Sequence, residues 1–538
     1  MIGLTRTACD EGVMHASARG ARSCAERAKS WVLAATILGS SMAFIDGSVV
    51  SVALPAIQAD LNTSVRGAQW IVNAYMLTLG ALILIGGAAG DRYGRRRVFL
   101  LGVLVFTGSS VACGLAPNVV TLIVARAVQG IGGALMVPES LAIISAAFPE
   151  KERGRAIGTW AGFSALTTAL GPVLGGWLVD ASSWRTIFFV NVPLGVLTLA
   201  LALWRVPESR DDASNAEVDW IGGLLVTLAL GAIAYGLTVE SDLSWSHPTV
   251  LASLIGGTLL LAAFVAWEAR ARSPMLPLEL FRSPEFSGAN ALTLLLYFAL
   301  GGALFFVPFD LIGVQGYSAM QAGAAFLPFT LIMGVLSRWS GALIERYDAR
   351  IPLTVGPVIV AIGLALCAVP DIGQSYWTGF FPAMCMLGLG MAIAVAPLTT
   401  VVMRAAGERH SGVASGINNA TARVAGLLAV ALLGALVVGH FRSALDARMS
   451  AAHVPVAVQR SLDAEAAKLA AAQVPSQVQD VERARLTRLL HEAFHQSFRF
   501  VMAVAAALAL VSALIAGLTL PVQMSPIRAS FLSETPTK

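Results

Sequence analysis

Lysine is nearly missing from this chain: Lys29, Lys151, Lys468 and Lys538 are the four in 538 residues. None follows a glycine, so a phosphate-cradling Gly-Lys-Ser/Thr loop cannot form and no nucleotide hydrolysis of that kind drives the chain from within. Charge of either sign is scarce. Asp, Glu, Lys and Arg make up 13% of the residues, against about 25% in soluble domains. The net charge of +4 sits at the ends of apolar segments, which speaks for a membrane surface and against nucleic acid. Cysteine is limited to Cys9, Cys24, Cys113, Cys367 and Cys385. Their spacing fits no metal site, and the last three lie in apolar runs, so buried thiols are expected rather than a disulfide framework. No nucleophile–base pattern stands out, and neither an enzyme nor a cofactor is expected. Residues 1–30 are polar and arginine-bearing, without a signal-peptide pattern, and read as a cytoplasmic tail.

What is abundant is apolar length. Hydrophobic residues make up 56% of the chain and the mean hydropathy is +0.73. Runs of about 20 such residues recur, each able to cross a hydrocarbon core of ~30 Å. Fourteen spans are expected, near 32–55, 70–90, 97–116, 119–146, 155–179, 186–205, 219–239, 249–268, 286–312, 321–343, 352–370, 376–402, 416–439 and 498–521. The seventh and eighth carry the weakest pattern. Arginine and lysine collect in alternate connections, such as "DRYGRRR" (91–97), "PEKERGR" (149–155), "EARARSP" (268–274) and "ERYDAR" (345–350). The short opposite connections hold only Arg66 and Arg185. Both termini are therefore expected on the cytoplasmic side. The segment 441–495 is the exception. It is rich in Ala, Gln, Arg and Glu, and reads as short amphipathic helices outside the membrane, either a solvated hairpin or a docking surface.

The chain also repeats itself. "GAAGDRYGRRRVFL" (87–100) and "GALIERYDARIPL" (341–353) share G-x-x-x-(D/E)-R-Y-(G/D)-x-R after the second and tenth spans. Equivalent turns predict two six-helix halves, 31–206 and 273–521, separated by a linker with two inserted helices at 207–272. The tail 522–538 closes the chain. Duplicated halves with a central site are a common transporter plan.

The first of these turns resembles the signature loop of the major facilitator superfamily. "IDGSVVSVALP" (45–55), "RAVQGIGGA" (126–134), "GTWAGFSALTTALGPVLGG" (158–176) and "WRTIFFVNVPLGV" (184–196) are similar to motifs of its fourteen-helix drug:proton antiporter branch, with a looser match at "GLGMAIAVAP" (388–397). Ser48, Ser51 and Thr167 depart from those motifs, as do the acidic Glu139 and Asp310. The resemblance implies an all-α major facilitator fold of two six-helix halves plus two inserted helices. It also implies a multi-pass protein of the cytoplasmic (inner) membrane that exports compounds against protons.

The residues themselves frame the chemistry. Asp46 is a carboxylate inside an apolar span, which is costly unless it faces a cavity or a partner. Burial raises such a group's pKa and a nearby cation lowers it. Counted at ~1.5 Å per residue, Arg126 and Asp46 can share a layer. Two readings stay open for Asp46: proton exchange biased by Arg126, or a packing hydrogen bond to Ser48 or a neighbouring helix. Gln129, Asp310, Asn419 and Arg423 join Asp46 and Arg126 as residues expected to line the substrate cavity, although Asp310 is also placed to snorkel to water. Arg423 equally suits a helix-packing hydrogen bond. Glu139 lies about 220° around its helix from Arg126 and is expected at an inner gate or helix interface. Asp91, Arg92, Gly94, Arg95, Arg96, Glu345 and Arg346 read as an inner gate loop, or as a plain cationic anchor. Gly158, Gly162, Gly171, Gly175 and Gly176 admit close backbone approach around Pro172, and the resemblance gives this stretch an association with antiport.

The function expected from all this is proton-driven export of lipophilic or cationic drugs across the bilayer. The alternatives are a narrow metabolite transporter and a non-transporting membrane sensor. By analogy alone, the outer hairpin is compatible with a periplasmic adaptor.

Overall fold

The computed structural model describes residues 18–210, 218–243, 245–340, 348–472, 474 and 480–520. Every regular element among them is helical, and fourteen helices are long and apolar enough to cross a membrane. They are α1 (Lys29–Asp60), α2 (Val65–Tyr93), α3 (Arg95–Gly114), α4 (Val119–Ala147), α5 (Arg155–Ala181), α6 (Thr186–Arg205), α7 (Trp220–Val239), α8 (Pro248–Glu268), α9 (Pro284–Gly313), α10 (Ala319–Leu336), α11 (Arg350–Cys367), α12 (Phe380–Gly407), α13 (Val413–Ala451) and α14 (Asp480–Thr519). An even number of crossings puts the described chain ends on one face, called here the terminal face. The connection between α13 and α14 lies on the other, the hairpin face.

Local chemistry sets many boundaries. Asn118 begins α4 by accepting the Thr121 amide at 2.9 Å. Ser318 and Gln321 form a reciprocal capping box at the start of α10. Gly94 breaks α2 from α3 with φ of 105°, and a Cβ there would stand 2.7 Å from the Glu208 carboxylate. Gly407, with φ of 72°, does the same between α12 and α13. Both are backbone conformations that glycine adopts without strain.

The helices α1–α6 pack as one unit and α9–α14 as another. The inserted pair sits at their side. On α7, Leu230 and Ala234 pack against Leu427 and Ala431 of α13, and Thr238 Oγ1 accepts from Trp70 Nε1 of α2 at 3.1 Å. In α8 only 17% of the apolar window is buried; it leans on α7 and otherwise presents apolar side chains outward.

The segment 441–495 differs from the expected string of short helices. Its two ends are continuations of α13 and α14. Leu445, Met449, Leu486 and Leu490 are buried, Arg448 donates to Glu492 at 2.9 Å and to Gln496 at 3.0 Å, and this packing carries the helices beyond the apolar span. Among the described residues of the segment, only Val456–Glu465 forms a separate short helix, followed by a 3-10 turn at Ala466–Ala471. That turn folds back over the bundle. Leu469 is fully buried, and the Lys468 carbonyl accepts from Gln58 Nε2 of α1 at 3.2 Å.

The two halves meet chiefly towards the hairpin face. Asp180 of α5 accepts the backbone amides of Ala319 and Met320 at 3.2 and 2.8 Å, an anion on the N-terminus of α10. Gln69 of α2 donates to the Val430 carbonyl of α13 at 2.9 Å. Near the terminal face, Lys29–Glu152, Asp91–Arg95 and Arg404–Glu285 each stay within one half, and Arg97 pairs with Glu208 just after α6.

Candidate functional site

The spacing of Arg126 and Gln129 puts both on one face of α4, and that face turns towards Asp46 of α1. Arg126 Nη1 forms an ion pair with Asp46 Oδ2 and also donates to Gln129 Oε1 at 2.7 Å. Gln129 Nε2 donates to Asp46 Oδ1 at 2.9 Å and to Ser110 Oγ of α3 at 3.2 Å. Asn191 of α6 reaches the same carboxylate oxygen at 3.4 Å and Ser110 at 2.9 Å. Arg126 Nε donates to the Ile71 carbonyl of α2 at 3.2 Å. Five helices thus hold one carboxylate and one guanidinium. Ser48 is no partner, because its hydroxyl bonds back to the Phe44 and Ile45 carbonyls.

The guanidinium is sandwiched as well. Its carbon lies 4.2 Å from the ring centre of Tyr75 on α2 and 5.8 Å from that of Phe188. Tyr75 is fixed by a 3.3 Å bond from its hydroxyl to the Ala43 carbonyl. Asp46 and Arg126 are each 1% exposed and Gln129 is fully buried. This corrects the expectation that these three line the cavity: they form the polar heart of the first half. A lone buried charge would cost several kcal/mol (~3–5 when one partner of a pair is lost), which the second charge and its hydrogen bonds offset.

The second half contributes Arg423 and Asn419. Arg423, half-buried on α13, packs its Cβ closely against Gly80 of α2. The phenols of Tyr75 and Tyr297 are its ionisable neighbours. Asn419, one turn away, is exposed.

Asp310 does not snorkel to water. It is fully buried and meets His495 Nδ1 of α14 at 3.0 Å, while His495 Nε2 lies 2.9 Å from the Pro370 carbonyl. A carbonyl can only accept, so Nε2 carries a proton. The Nδ1–carboxylate contact then needs one more, held by either partner. His495 was overlooked because the apolar run of the last span begins after it.

Glu139 sits against Gly90 of α2, fully buried with no hydrogen-bond partner for either oxygen among the described residues. In the loop after α2, Asp91 accepts from Arg95 at 2.7 Å. Arg96 donates its backbone amide to Glu208 at 3.1 Å and its side chain to the Leu203 carbonyl at 2.7 Å, and Arg92 lies over Tyr93. These contacts lie within the first half and the start of the linker that follows α6. Glu345 and Arg346 lie outside the described residues.

The α5 stretch divides in two. Gly171 and Gly175 pack against Ser48 and Val49 of α1, while a Cβ on Gly176 would strike the Ala319 carbonyl of α10. Beside them the Pro172 carbonyl crowds Gly323. Gly158 and Gly162, expected to admit close approach, have no atom within 4 Å of a Cβ position. The close-packed part therefore joins the halves at the hairpin face only.

Residues 36–430 match the Major Facilitator Superfamily. The chain is 37% identical over 440 residues to the multidrug resistance protein Stp of Mycobacterium tuberculosis (strain CDC 1551 / Oshkosh), covering 82% of this chain and 81% of that protein. It is 33% identical over 510 residues to the tetracenomycin C resistance and export protein of Streptomyces glaucescens, covering 94% and 93%. In fold it is similar to a bacterial homologue of the human lysosomal transporter Spinster, with a TM-score of 0.63 at 17% identity, covering 91% of this chain and 97% of that one.

Proposed function

This chain belongs to the major facilitator superfamily, and we propose that within it the protein exports lipophilic organic compounds in exchange for protons. Its relatives are resistance and efflux proteins, and its fold is that of transporters rather than enzymes. The observation that carries the coupling is the Asp46–Arg126 pair, sealed inside the first half with Tyr75 against Arg126 and with Arg423 of the second half among the charged neighbours of Tyr75. Protonating Asp46 removes the charge that holds Arg126. The guanidinium must then find another partner or move, and Tyr75 carries that change to the interface between the halves.

The arrangement of contacts supports alternating access. Asp180, Gly176 and Gln69 hold the halves together at the hairpin face, whereas at the terminal face the described pairs Asp91–Arg95 and Arg404–Glu285 each lie within one half. In this reading the terminal face is cytoplasmic, in keeping with its cluster of Arg92, Arg95, Arg96, Arg97 and Arg404. Substrate enters from that side or from the inner leaflet, the hairpin-face contacts break, and Asp46 takes its proton from outside.

Everted membrane vesicles with an acid lumen test the proposal. Adding a transported compound should raise lumenal pH in vesicles that hold this protein and not in control vesicles. Export with no accompanying proton movement would refute the coupling.

A further inference from the structure

The middle of the bundle is asymmetric in charge. Asp46 is committed to Arg126, Gln129 and Asn191, and Asp310 to His495. Glu139 is buried at the other end of α4, towards the terminal face, away from this layer. Arg423 stands apart. It makes no hydrogen bond or ion pair among the described residues, and its Nε is buried without a partner. No carboxylate is among the ionisable groups that act on it, which are the phenols of Tyr75 and Tyr297. A guanidinium held in an apolar span without an anion is costly, and its planar fork of donors matches carboxylate-like oxygens.

The surroundings are otherwise apolar and aromatic. Gly80 lets the α2 backbone pack directly on the Arg423 stem, a Cβ there standing 3.1 Å from Arg423 Cβ, while the side chain beyond it is only half-buried. Met76 lies against Gly426 one turn along, and Tyr297 comes from α9. Asn419 is exposed on the same side of α13, its amide nitrogen donating to the Ser415 carbonyl at 3.0 Å and its oxygen left over.

Resting on the export reading above, we propose that Arg423 is the charge-recognising residue of the substrate site, and that the compounds exported are lipophilic organic acids bearing a carboxylate, phenolate or enolate. A cation entering this layer would meet like charge with no free carboxylate to receive it. The ligand anion supplies the counter-charge that the protein withholds. Tyr75 neighbours both Arg126 and Arg423, so the substrate and the Asp46 proton act on one aromatic side chain. Outward movement of a monoanion against one inward proton transfers two charges, so an interior-negative potential accelerates export.

Three probes of one shape test the assignment: anthracene-9-carboxylate, anthracene-9-carboxamide and anthracen-9-ylmethylammonium. Their binding to the full-length protein in lipid nanodiscs is read by fluorescence anisotropy. The native protein should bind the carboxylate at least tenfold tighter than the amide, and the ammonium weakest. Arg423→Gln should erase the preference for the carboxylate while leaving amide binding within twofold, and Arg423→Lys should keep part of it. Equal binding of the three, preference for the ammonium, binding of none, or an unaltered preference in Arg423→Gln would each overturn the proposal. The charge series on the native protein needs no variant to fold. The export reading is judged separately. Ammonium bound and exchanged for protons would leave export standing and this assignment fallen. Carboxylate bound but never moved by a proton gradient would do the reverse.

Discussion

The Tyr75 ring lies 4.2 Å from the Arg126 guanidinium carbon, and Asp46, Arg126 and Arg423 are all among its charged neighbours. It therefore stands where a change in the first half's buried pair is felt by the second half. A desolvated cation–π contact contributes about 2 kcal/mol. Tyr75→Phe keeps the ring and loses only a 3.3 Å bond to Ala43, so proton-driven transport should stay within about threefold of native. Tyr75→Leu removes the ring face and should lower it by roughly tenfold or more, in proportion to that energy. Initial rates in proteoliposomes check this, and equal rates for the two variants would contradict it.

Gly176 sets how closely α5 and α10 approach, because any Cβ there meets the Ala319 carbonyl. Overpacking a close contact costs about 1–3 kcal/mol, enough to shift a two-state equilibrium by roughly 5–150-fold. Gly176→Val should bias the protein away from closure at the hairpin face. A cysteine introduced at Ala59, which lines the opening there with Asn62 and Asp180, should then react faster with an impermeant maleimide. Gly158→Val, where no atom lies near, should leave that rate unchanged.

The Asp310–His495 pair is a structural couple in the second half. Removing one partner of a buried charge pair costs about 3–5 kcal/mol, whereas replacing both with apolar groups is often close to neutral. Asp310→Leu and His495→Phe should each lower the melting temperature in detergent, and the double variant should lose less than the two losses added. Simple additivity would mean that the residues do not stabilise each other.

The turn at Ala466–Ala471 is held down by the Gln58–Lys468 bond and by buried Leu469. Leu469→Ala should cost about 2–5 kcal/mol of local stability and raise amide hydrogen exchange across Val456–Glu465 while leaving α13 protected. Gln58→Ala should give a smaller increase, in line with about 0.5–1.5 kcal/mol for one hydrogen bond.

The sequence made the helices legible because each needs only length and apolarity, and the weakly patterned α7 and α8 are both present. It also brought Asp46 and Arg126 to neighbouring depths, since depth follows from counting residues. Azimuth does not. Whether Asp46 faces the cavity or the interior of its half depends on how α1 is rotated against α3, α4 and α6. That rotation is set by packing that no single helix encodes. Ser110, Asn191 and Tyr75 were missed as parts of one network for this reason, although each is a polar group in an apolar span, which is the available signal. The reach of α13 and α14 was underestimated because helices stabilised by each other continue past the point where hydropathy ends. The cap that Asp180 places on α10 depends on two distant segments meeting, and nothing in its local sequence announces it.

The central claim is that Asp46 carries the exchanged proton, and purified protein in liposomes tests it with one comparison. Substrate accumulation driven by an imposed pH gradient is measured beside counterflow, which needs alternation but no net proton transfer. Native protein should perform both. Asp46→Asn, which retains hydrogen-bonding atoms but cannot exchange a proton, should lose gradient-driven accumulation and keep counterflow. An Asp46→Asn protein that still accumulates substrate against its gradient at the native proton coupling would contradict the account.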